Sequence, residues 1–311
     1  MLKLNAVYKD YIWGGEKLKM LFGKQQEGIL AESWEVSVHP DGLSTLGDQT
    51  FASYLANNPT AVDKLSSPFG ILIKYIDAKT NLSVQVHPDE AFARQVEQDN
   101  GKTECWYVVD ADPGAGIYCG FNQDVDKADF LRSVQDGSVE KYLNFIPVQK
   151  GDCFMIFPGT VHSICGGCVI CEVQQSSNIT YRVYDYNRIG ADGKKRPLQV
   201  EKAMQVINFA KYDSAKVLAR ATPLTACNVA CNTNGNNTIR QVGKCEHFDC
   251  KELTLCGSAQ IGCDDAYVAI NVVQGEGQID GQQFVAGDTF FLDCAQKVAI
   301  CGNATVLLTT K

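Results

Sequence analysis

Short alternations of apolar and polar residues are the dominant pattern along the chain. In "LSVQVH" (82–87), Leu82, Val84 and Val86 are apolar, and the other three residues are polar. Successive side chains of a strand point to opposite faces, so this stretch predicts a strand with one apolar and one polar face. Similar short runs, separated by glycine-containing turns, recur along most of the chain and indicate a β-sandwich or barrel.

Helical patterns are few and short. We expect helices at 61–64 and 89–99, and two more within 124–146 that are separated at Gly137. A further helix is predicted to begin at Pro197, because proline is favoured at the first helical position and apolar residues follow at helical spacing. The chain is therefore predicted to be mainly β, with a few short helices.

A weak internal repeat predicts two similar barrels. "GDCFMIFPGTVH", from Gly151, resembles "GDTFFLDCAQKV", from Gly287, and a hydrophobic strand precedes each of them. A turn-rich stretch before residue 237 indicates the boundary, so we expect domains at 1–225 and 226–311. Only the first copy ends in a histidine, and we therefore expect a metal site in the first domain and none in the smaller second one.

Charge and composition exclude several classes of protein. Hydrophobic residues make up 45% of the chain and charged residues 21%, as in an ordinary globular protein. The net charge of -8 argues against a nucleic-acid or membrane-surface partner. We find no apolar run of membrane-spanning length and no apolar signal segment, so we expect a cytoplasmic location.

Fourteen cysteines are many for such a chain. Those in "CGGCVIC" (165–171) have C-x-x-C spacing and could bind zinc together with Cys227 or Cys231. A matching C-x-x-C pair is absent, however, and several other cysteines lie in apolar strand-like runs. We therefore expect reduced thiols that fill the core.

A better metal site is indicated by the polar face of 82–87. Gln85 and His87 lie two residues apart, so on one strand their Cα atoms are about 6–7 Å apart and their side chains share a face. Glu104, in the alternating "KTECWYVV", and His162, after a glycine turn, can join them from neighbouring strands. Two imidazoles and a carboxylate suit Zn²⁺, with the amide oxygen of Gln85 as a fourth ligand, and also suit Fe(II).

Six segments, taken in order, resemble the type I mannose-6-phosphate isomerases in their short bacterial form. They are "YIWGG" (11–15), "AESWEVSVHPDG" (31–42), "LSVQVHPDE" (82–90), "GKTECWYVVDADPGAGIYCGF" (101–121), "GDCFMIFPGTVHSI" (151–164) and "QQSSNITYRVYDYNR" (174–188). The resemblance implies two cupin-like (double-stranded β-helix, or jelly-roll) barrels with one zinc ion in the first. It also implies interconversion of mannose 6-phosphate and fructose 6-phosphate.

The resemblance also implies roles for individual residues. The implied zinc ligands are Gln85, His87, Glu104 and His162, the implied phosphate contacts are Ser83 and Lys102, and the implied catalytic residue is Arg182. One departure is visible, because the family usually has Pro-Ala-Gly where this chain has Phe-Pro-Gly at 157–159. The glycine and the spacing to the following histidine are kept, so we expect ligation to be kept too.

The chemistry of these residue types agrees with an isomerase that forms an enediol. A permanently charged guanidinium at Arg182 suits the developing oxyanion, unless Asp185 pairs with it. Lys102 gives a sugar phosphate the local positive charge that an acidic chain otherwise lacks. The proton-transferring base stays open between Glu172, a metal-bound water, Lys102 and His39. An Fe(II) oxygenase and a non-catalytic sugar-phosphate-binding protein remain alternatives, and the sequence leaves a monomer and a homodimer equally open.

Overall fold

The computed structural model describes residues 1–62, 69–190, 193–213 and 234–311. Within these ranges the chain is mainly β, as the alternating pattern predicted. Strands β1 to β14 are Leu2–Leu4, Val7–Lys9, Glu32–Val36, Thr45–Leu46, Gln49–Thr50, Ile71–Ala78, Val84–Val86, Glu104–Ala111, Gly116–Phe121, Leu143–Pro147, Cys153–Ile156, His162–Ile164, Cys168–Gln175 and Tyr181–Tyr184. Strands β15 to β21 are Asn234–Gly235, Thr238–Lys244, Asp249–Gly262, Val268–Ile279, Gln282–Val285, Thr289–Leu292 and Lys297–Thr310.

The helices are short and lie between strands. Helices α1 to α5 are Lys17–Phe22, Phe51–Asn57, Glu90–Val96, Lys127–Asp136 and Val200–Val206, and Val139–Tyr142 forms a 3₁₀ turn. The predictions at 89–99 and at the first half of 124–146 are confirmed by α3 and α4. The second half of 124–146 is instead the 3₁₀ turn followed by β10. The helix predicted at 61–64 is wrong for 61–62, which form a bend, while 63–64 lie outside the described residues.

Two antiparallel sheets form the first barrel. One has six strands in the order β11-β8-β13-β6-β3-β2, and the other has five in the order β10-β9-β12-β7-β14. Trp106 and Ile170 of the six-stranded sheet share a buried core with Ile117 and Ile164 of the five-stranded sheet. The two sheets therefore face each other across one interior, which is the cupin-like arrangement expected from the resemblance.

An eight-stranded sheet forms the second barrel. Its strands follow the order β1-β20-β18-β21-β17-β15, with β16 paired to β17 and β19 paired to β18. The first strand of the chain, β1, thus pairs with β20 near the other end of the sequence. The expected boundary between residues 225 and 226 lies outside the described residues.

The internal repeat corresponds to matching strand pairs in the two barrels. Strand β11 of the first copy pairs with β8, and β20 of the second copy pairs with β18, both antiparallel. The outer face of the six-stranded sheet packs against the eight-stranded sheet through a core that includes Tyr75, Cys105, Cys250 and Phe291. This packing leaves the inner face of the six-stranded sheet to form the interior of the first barrel.

The cysteines behave as core residues. The twelve in the described ranges are free thiols, and most of them are buried. Cys168 and Cys171 lie three residues apart on β13, so they point to opposite faces and join two different cores. Cys227 and Cys231 lie outside the described residues. Among the helices that the structure describes, none has both the length and the apolar character that a membrane span requires.

Candidate metal centre and substrate cleft

Strands of the six-stranded sheet change from apolar to polar side chains toward one end of their inner face. On β13, Ile170 belongs to the barrel core, and the next inward residue, Glu172, is a carboxylate. On the neighbouring β6, Ile76 is followed in the same way by Lys74, which lies directly opposite Glu172. On β8, the inward-facing Trp106 belongs to the barrel core, and the inward-facing residue at the same polar end is Glu104. The polar ends of these rows create a cleft at one end of a barrel that is otherwise apolar.

The five-stranded sheet closes the other side of this cleft with the polar face predicted for 82–87. Val84 and Val86 pack into a separate core outside the barrel interior, so Gln85 between them faces inward. Gln85 lies opposite His162 on β12 and opposite Arg182 on β14. Residues directly opposite in antiparallel strands share a face, so these three side chains project from the same face of the sheet, and Gln85 and Arg182 line the cleft.

His87, Glu104 and His162 form the one group in the described residues that has the arrangement of a metal site. Their ligand atoms all lie within 4.8 Å of one another, and all three side chains are buried. His87 Nε2 is 3.1 Å from Glu104 Oε1, and His162 Nε2 is 3.8 Å from Glu104 Oε2. The three residues come from separate parts of the barrel. His87 directly follows β7, Glu104 begins β8 and His162 begins β12.

Backbone carbonyls fix the orientation of both imidazoles. His87 Nδ1 lies 2.8 Å from the carbonyl oxygen of Ile179, and His162 Nδ1 lies 2.8 Å from that of Thr160. A carbonyl can only accept, so Nδ1 carries the proton in each ring and Nε2 keeps its lone pair for a metal. Gly159 adopts a left-handed φ of 81° in the turn before His162, and its N–H donates to the carbonyl of His87.

The protonation states also fit a divalent cation. Burial, followed by repulsion from the Lys102 ammonium, lowers the pKa of His87 to about 4. Burial likewise lowers the pKa of His162. Burial would raise the pKa of Glu104, but the Lys102 ammonium holds it well below its ordinary value. Two neutral imidazoles therefore face a carboxylate whose buried Oε2 has no hydrogen-bond partner among the described residues. This is the donor set of a metal centre.

Gln85 and Lys102 adjoin this group. Gln85 Nε2 is 3.4 Å from His162 Nε2, and its Oε1 accepts a hydrogen bond from Ser83. A half-turn of the amide would exchange its two ends and bring the oxygen to the centre. Lys102 Nζ donates to Glu104 Oε1 and lies 3.3 Å from His87 Nε2. Lys102 therefore contacts two of the expected metal ligands directly.

A cleft next to this centre encloses about 550 Å³ including its open mouth. Its lining includes Gln85 and Lys102, which contact the centre, whereas the buried His87, Glu104 and His162 are not among the described residues that line it. Ser83, Gln85, Lys102, Glu172 and Arg182 from the sequence prediction all line it. His39 is absent from the lining that the described residues provide. Its Nδ1 instead accepts from the backbone N–H of Asp41 in a nearby turn.

Lys74 is a cleft residue that the sequence reasoning missed. Its Nζ is 3.0 Å from Glu172 Oε1 and 3.6 Å from Glu32 Oε1. Burial would lower the pKa of Lys74, but these two carboxylates hold it above its ordinary value, so the ammonium stays charged. A lysine inside the apolar run "GILIKYID" was an available signal, because a buried lysine needs a partner.

Arg182 lines the cleft without a carboxylate partner in the described part of the chain. Its buried Nε has no hydrogen bond there. Asp185, which was its expected alternative partner, is paired with Arg188 and Arg196 instead. Burial and repulsion by Arg196 lower the pKa of Arg182. A half-buried guanidinium without a counter-ion is suited to bind an anion.

Comparisons with known proteins agree with this geometry. A family model described as phosphomannose isomerase type I, catalytic domain, matches residues 1–113. The probable mannose-6-phosphate isomerase GmuF of Bacillus subtilis (strain 168) is 34% identical over 306 residues, which cover 94% of this chain and 92% of that protein. A mannose-6-phosphate isomerase of Streptococcus mutans is 34% identical over 285 residues, covering 89% and 86%. The crystal structure of the mannose 6-phosphate isomerase from Bacillus subtilis matches with a TM-score of 0.86 and 28% identity, covering 99% of this chain and 98% of that one.

Proposed function

The chain belongs to the type I mannose-6-phosphate isomerases, and from that premise we propose how its cleft interconverts mannose 6-phosphate and fructose 6-phosphate through an enediol. The observation that carries the proposal is that Arg182, unpaired within the described residues, lines one cleft together with Gln85 and Lys102, which contact the His87–Glu104–His162 group. An aldose–ketose isomerase needs such a pair of features, because it must stabilise negative charge on oxygens at C1 and C2.

We propose that the centre holds one Zn²⁺ per chain. His87, Glu104 and His162 would be its ligands, with the amide oxygen of Gln85 as the fourth. The neutral, carbonyl-oriented imidazoles and the unsatisfied Oε2 of Glu104 support this set. When bound, the ion supplies a Lewis acid for the substrate oxygens.

The other cleft residues would hold the substrate and move its proton. Arg182 would donate to the enediolate oxygen, and Ser83 and Lys102 would contact the phosphorylated sugar. Glu172 is supported as the group that carries the proton between C2 and C1. Its Oε2 accepts from Trp106, its Oε1 is ion-paired with Lys74 at 3.0 Å, and its side chain lines the cleft. Lys102 remains the second candidate for this proton, and the position of His39 outside the cleft lining disfavours it.

We further propose that residues 1–225 form the catalytic domain and that residues 226–311 form a second barrel without a metal. The position of the one described three-residue metal group, entirely within the first barrel, supports this division. Strand β1 belongs to residues 1–225 by sequence, but it pairs with β20 of the second barrel.

Product analysis with and without a chelator tests the proposed reaction. Purified protein incubated with mannose 6-phosphate should form fructose 6-phosphate and should exchange the C2 proton with heavy water. A chelator should stop both, and added Zn²⁺ should restore them. Binding of the sugar phosphate without exchange would instead indicate a non-catalytic binding protein. Oxygen consumption without isomerisation would indicate an Fe(II) oxygenase.

Replacement of Lys102 by methionine should raise KM for mannose 6-phosphate and change kcat little. The variant lacks the ammonium and therefore its contact with the substrate, which we expect to be equally strong in the ground state and the transition state. Losing a charged hydrogen bond corresponds to about a 10- to 100-fold change in KM. Steady-state kinetics together with metal analysis would check this. Loss of the metal in the variant would mean that Lys102 acts mainly by supporting Glu104, which would contradict its assignment as a substrate contact.

A further inference from the structure

The cleft has a second arginine, Arg196, that no pattern in the sequence indicated. It lies in the segment between β14 and α5 and lines the same cleft as Ser83 and Arg182. Its guanidinium forms a two-point contact with Asp185, with Nε 2.8 Å from Oδ2 and Nη2 2.5 Å from Oδ1. A guanidinium has five N–H donors, so this contact fixes the side chain and leaves three donors for a ligand.

The charges near Arg196 do not balance within the described residues. Arg182, Arg188 and Arg196 lie around a single buried carboxylate, that of Asp185, so three positive charges face one negative charge. The difference of two positive charges is notable in a chain whose net charge is -8. A phosphate monoester carries roughly -1.5 to -2 charges at pH 7 and would offset this excess.

Apart from Arg182, which the proposed function assigns to the sugar oxygens, the other cations of the cleft are paired with carboxylates. Lys74 is paired with Glu32 and Glu172, and Lys102 donates to Glu104. Arg188 bonds to Asp185 and to the carbonyl of Asn81, and it is absent from the lining of the cleft that the described residues provide. Arg196 therefore combines a fixed guanidinium, partial exposure to solvent and donors that Asp185 does not use.

We propose that Arg196 binds the substrate's phosphate group, and that Asp185 is a positioning residue that holds its guanidinium toward the cleft. The inference rests on the proposed function and deepens it. Arg182 would then act on the sugar oxygens, while Arg196 selects phosphorylated over unphosphorylated sugars. Because the phosphate does not change during isomerisation, this contact should be equally strong throughout the reaction.

Arg196→Gln and Arg188→Gln in the holoenzyme form a matched pair of variants. Each removes one guanidinium from Asp185, but only Arg196 lines the cleft. Arg196→Gln should raise KM for mannose 6-phosphate by about 10- to 100-fold and change kcat by less than about threefold. The affinity for inorganic phosphate, measured by calorimetric titration, should fall by a similar factor. Arg188→Gln should leave both quantities within about threefold of the parent.

Arg196→Lys adds a conservative variant. It keeps the charge but cannot make the two-point contact with Asp185, so its KM should lie between those of the parent and Arg196→Gln. An unchanged KM and phosphate affinity in Arg196→Gln would overturn the proposal. Equal effects in Arg196→Gln and Arg188→Gln would overturn it too, because both would then act through Asp185. If the parent does not isomerise mannose 6-phosphate, the proposed function fails, while the phosphate titrations still decide the role of Arg196.

Discussion

Replacement of His87 by alanine is expected to remove both the bound metal and the isomerase activity while the fold is kept. His87 Nε2 lies 3.1 Å from Glu104 Oε1, and its other nitrogen makes one bond to the carbonyl of Ile179. The ring is buried and its centroid lies 4.8 Å from that of His162, so its loss costs some packing at the polar end of the barrel. A metal ion provides several kcal/mol of charge stabilisation, which corresponds to a loss of about 10³-fold or more in kcat.

Elemental analysis and steady-state kinetics would measure this effect, with His247→Ala as the control. His247 lies on the second barrel, outside the metal group, and its replacement should leave metal content and kcat at parental values. Unfolding should be compared with a chelator present in every sample, because bound metal stabilises the native state by mass action. Full metal occupancy and full activity in His87→Ala would exclude His87 as a ligand.

The face of each central strand was predictable because alternation is a local property. The polar residues of 82–87 were expected on one face, and the structure directs Gln85 into the cleft while Val84 and Val86 pack on the other side. The same rule explains why the "CGGCVIC" segment does not gather its thiols. Cys168 and Cys171 are an odd number of residues apart, so a strand sends them to opposite faces.

Other parts of the cleft depend on contacts between distant segments and could not be predicted in this way. Arg196 lies in a connecting segment without periodicity, and its position follows from its contact with Asp185. The helix predicted from Pro197 begins only at Val200, because Gln199 is hydrogen-bonded to both backbone polar groups of Arg182. Local propensity favoured an earlier start, and pairing with β14 prevented it.

The unpredicted helices have a related explanation. Helix α1 has six residues and α2 has seven, lengths at which an isolated helix is unstable in water. They are stabilised by burying Leu18 and Phe22 in one case and Phe51 in the other, within the core between the barrels. This stabilisation comes from the tertiary structure, so the local sequence gives little indication of it.

Replacement of Arg182 by alanine is expected to separate catalysis from binding. Arg182 lies opposite Gln85 on the adjacent strand, and its side chain lines the same cleft as Gln85 and Lys102, which contact the metal group. It has no ion pair within the described residues, so its charge is available for the oxygen that becomes negative in the enediolate. Because this charge develops only during the reaction, the interaction should be stronger in the transition state than in the ground state. Losing such a donor lowers kcat by about 10²- to 10³-fold.

Metal content, substrate binding, kcat and proton exchange together distinguish this role from a structural one. Arg182→Ala should keep parental metal content and near-parental binding of mannose 6-phosphate, whereas Arg196→Gln should keep kcat and lose binding. Arg182→Lys should recover only part of kcat, because an ammonium cannot reproduce the planar donor pair of a guanidinium. Exchange of the C2 proton, followed by NMR in heavy water, should slow in parallel with kcat if formation of the enediol is the affected step. Parental rates of exchange and isomerisation in Arg182→Ala would transfer the stabilisation of the enediolate to the metal and Lys102.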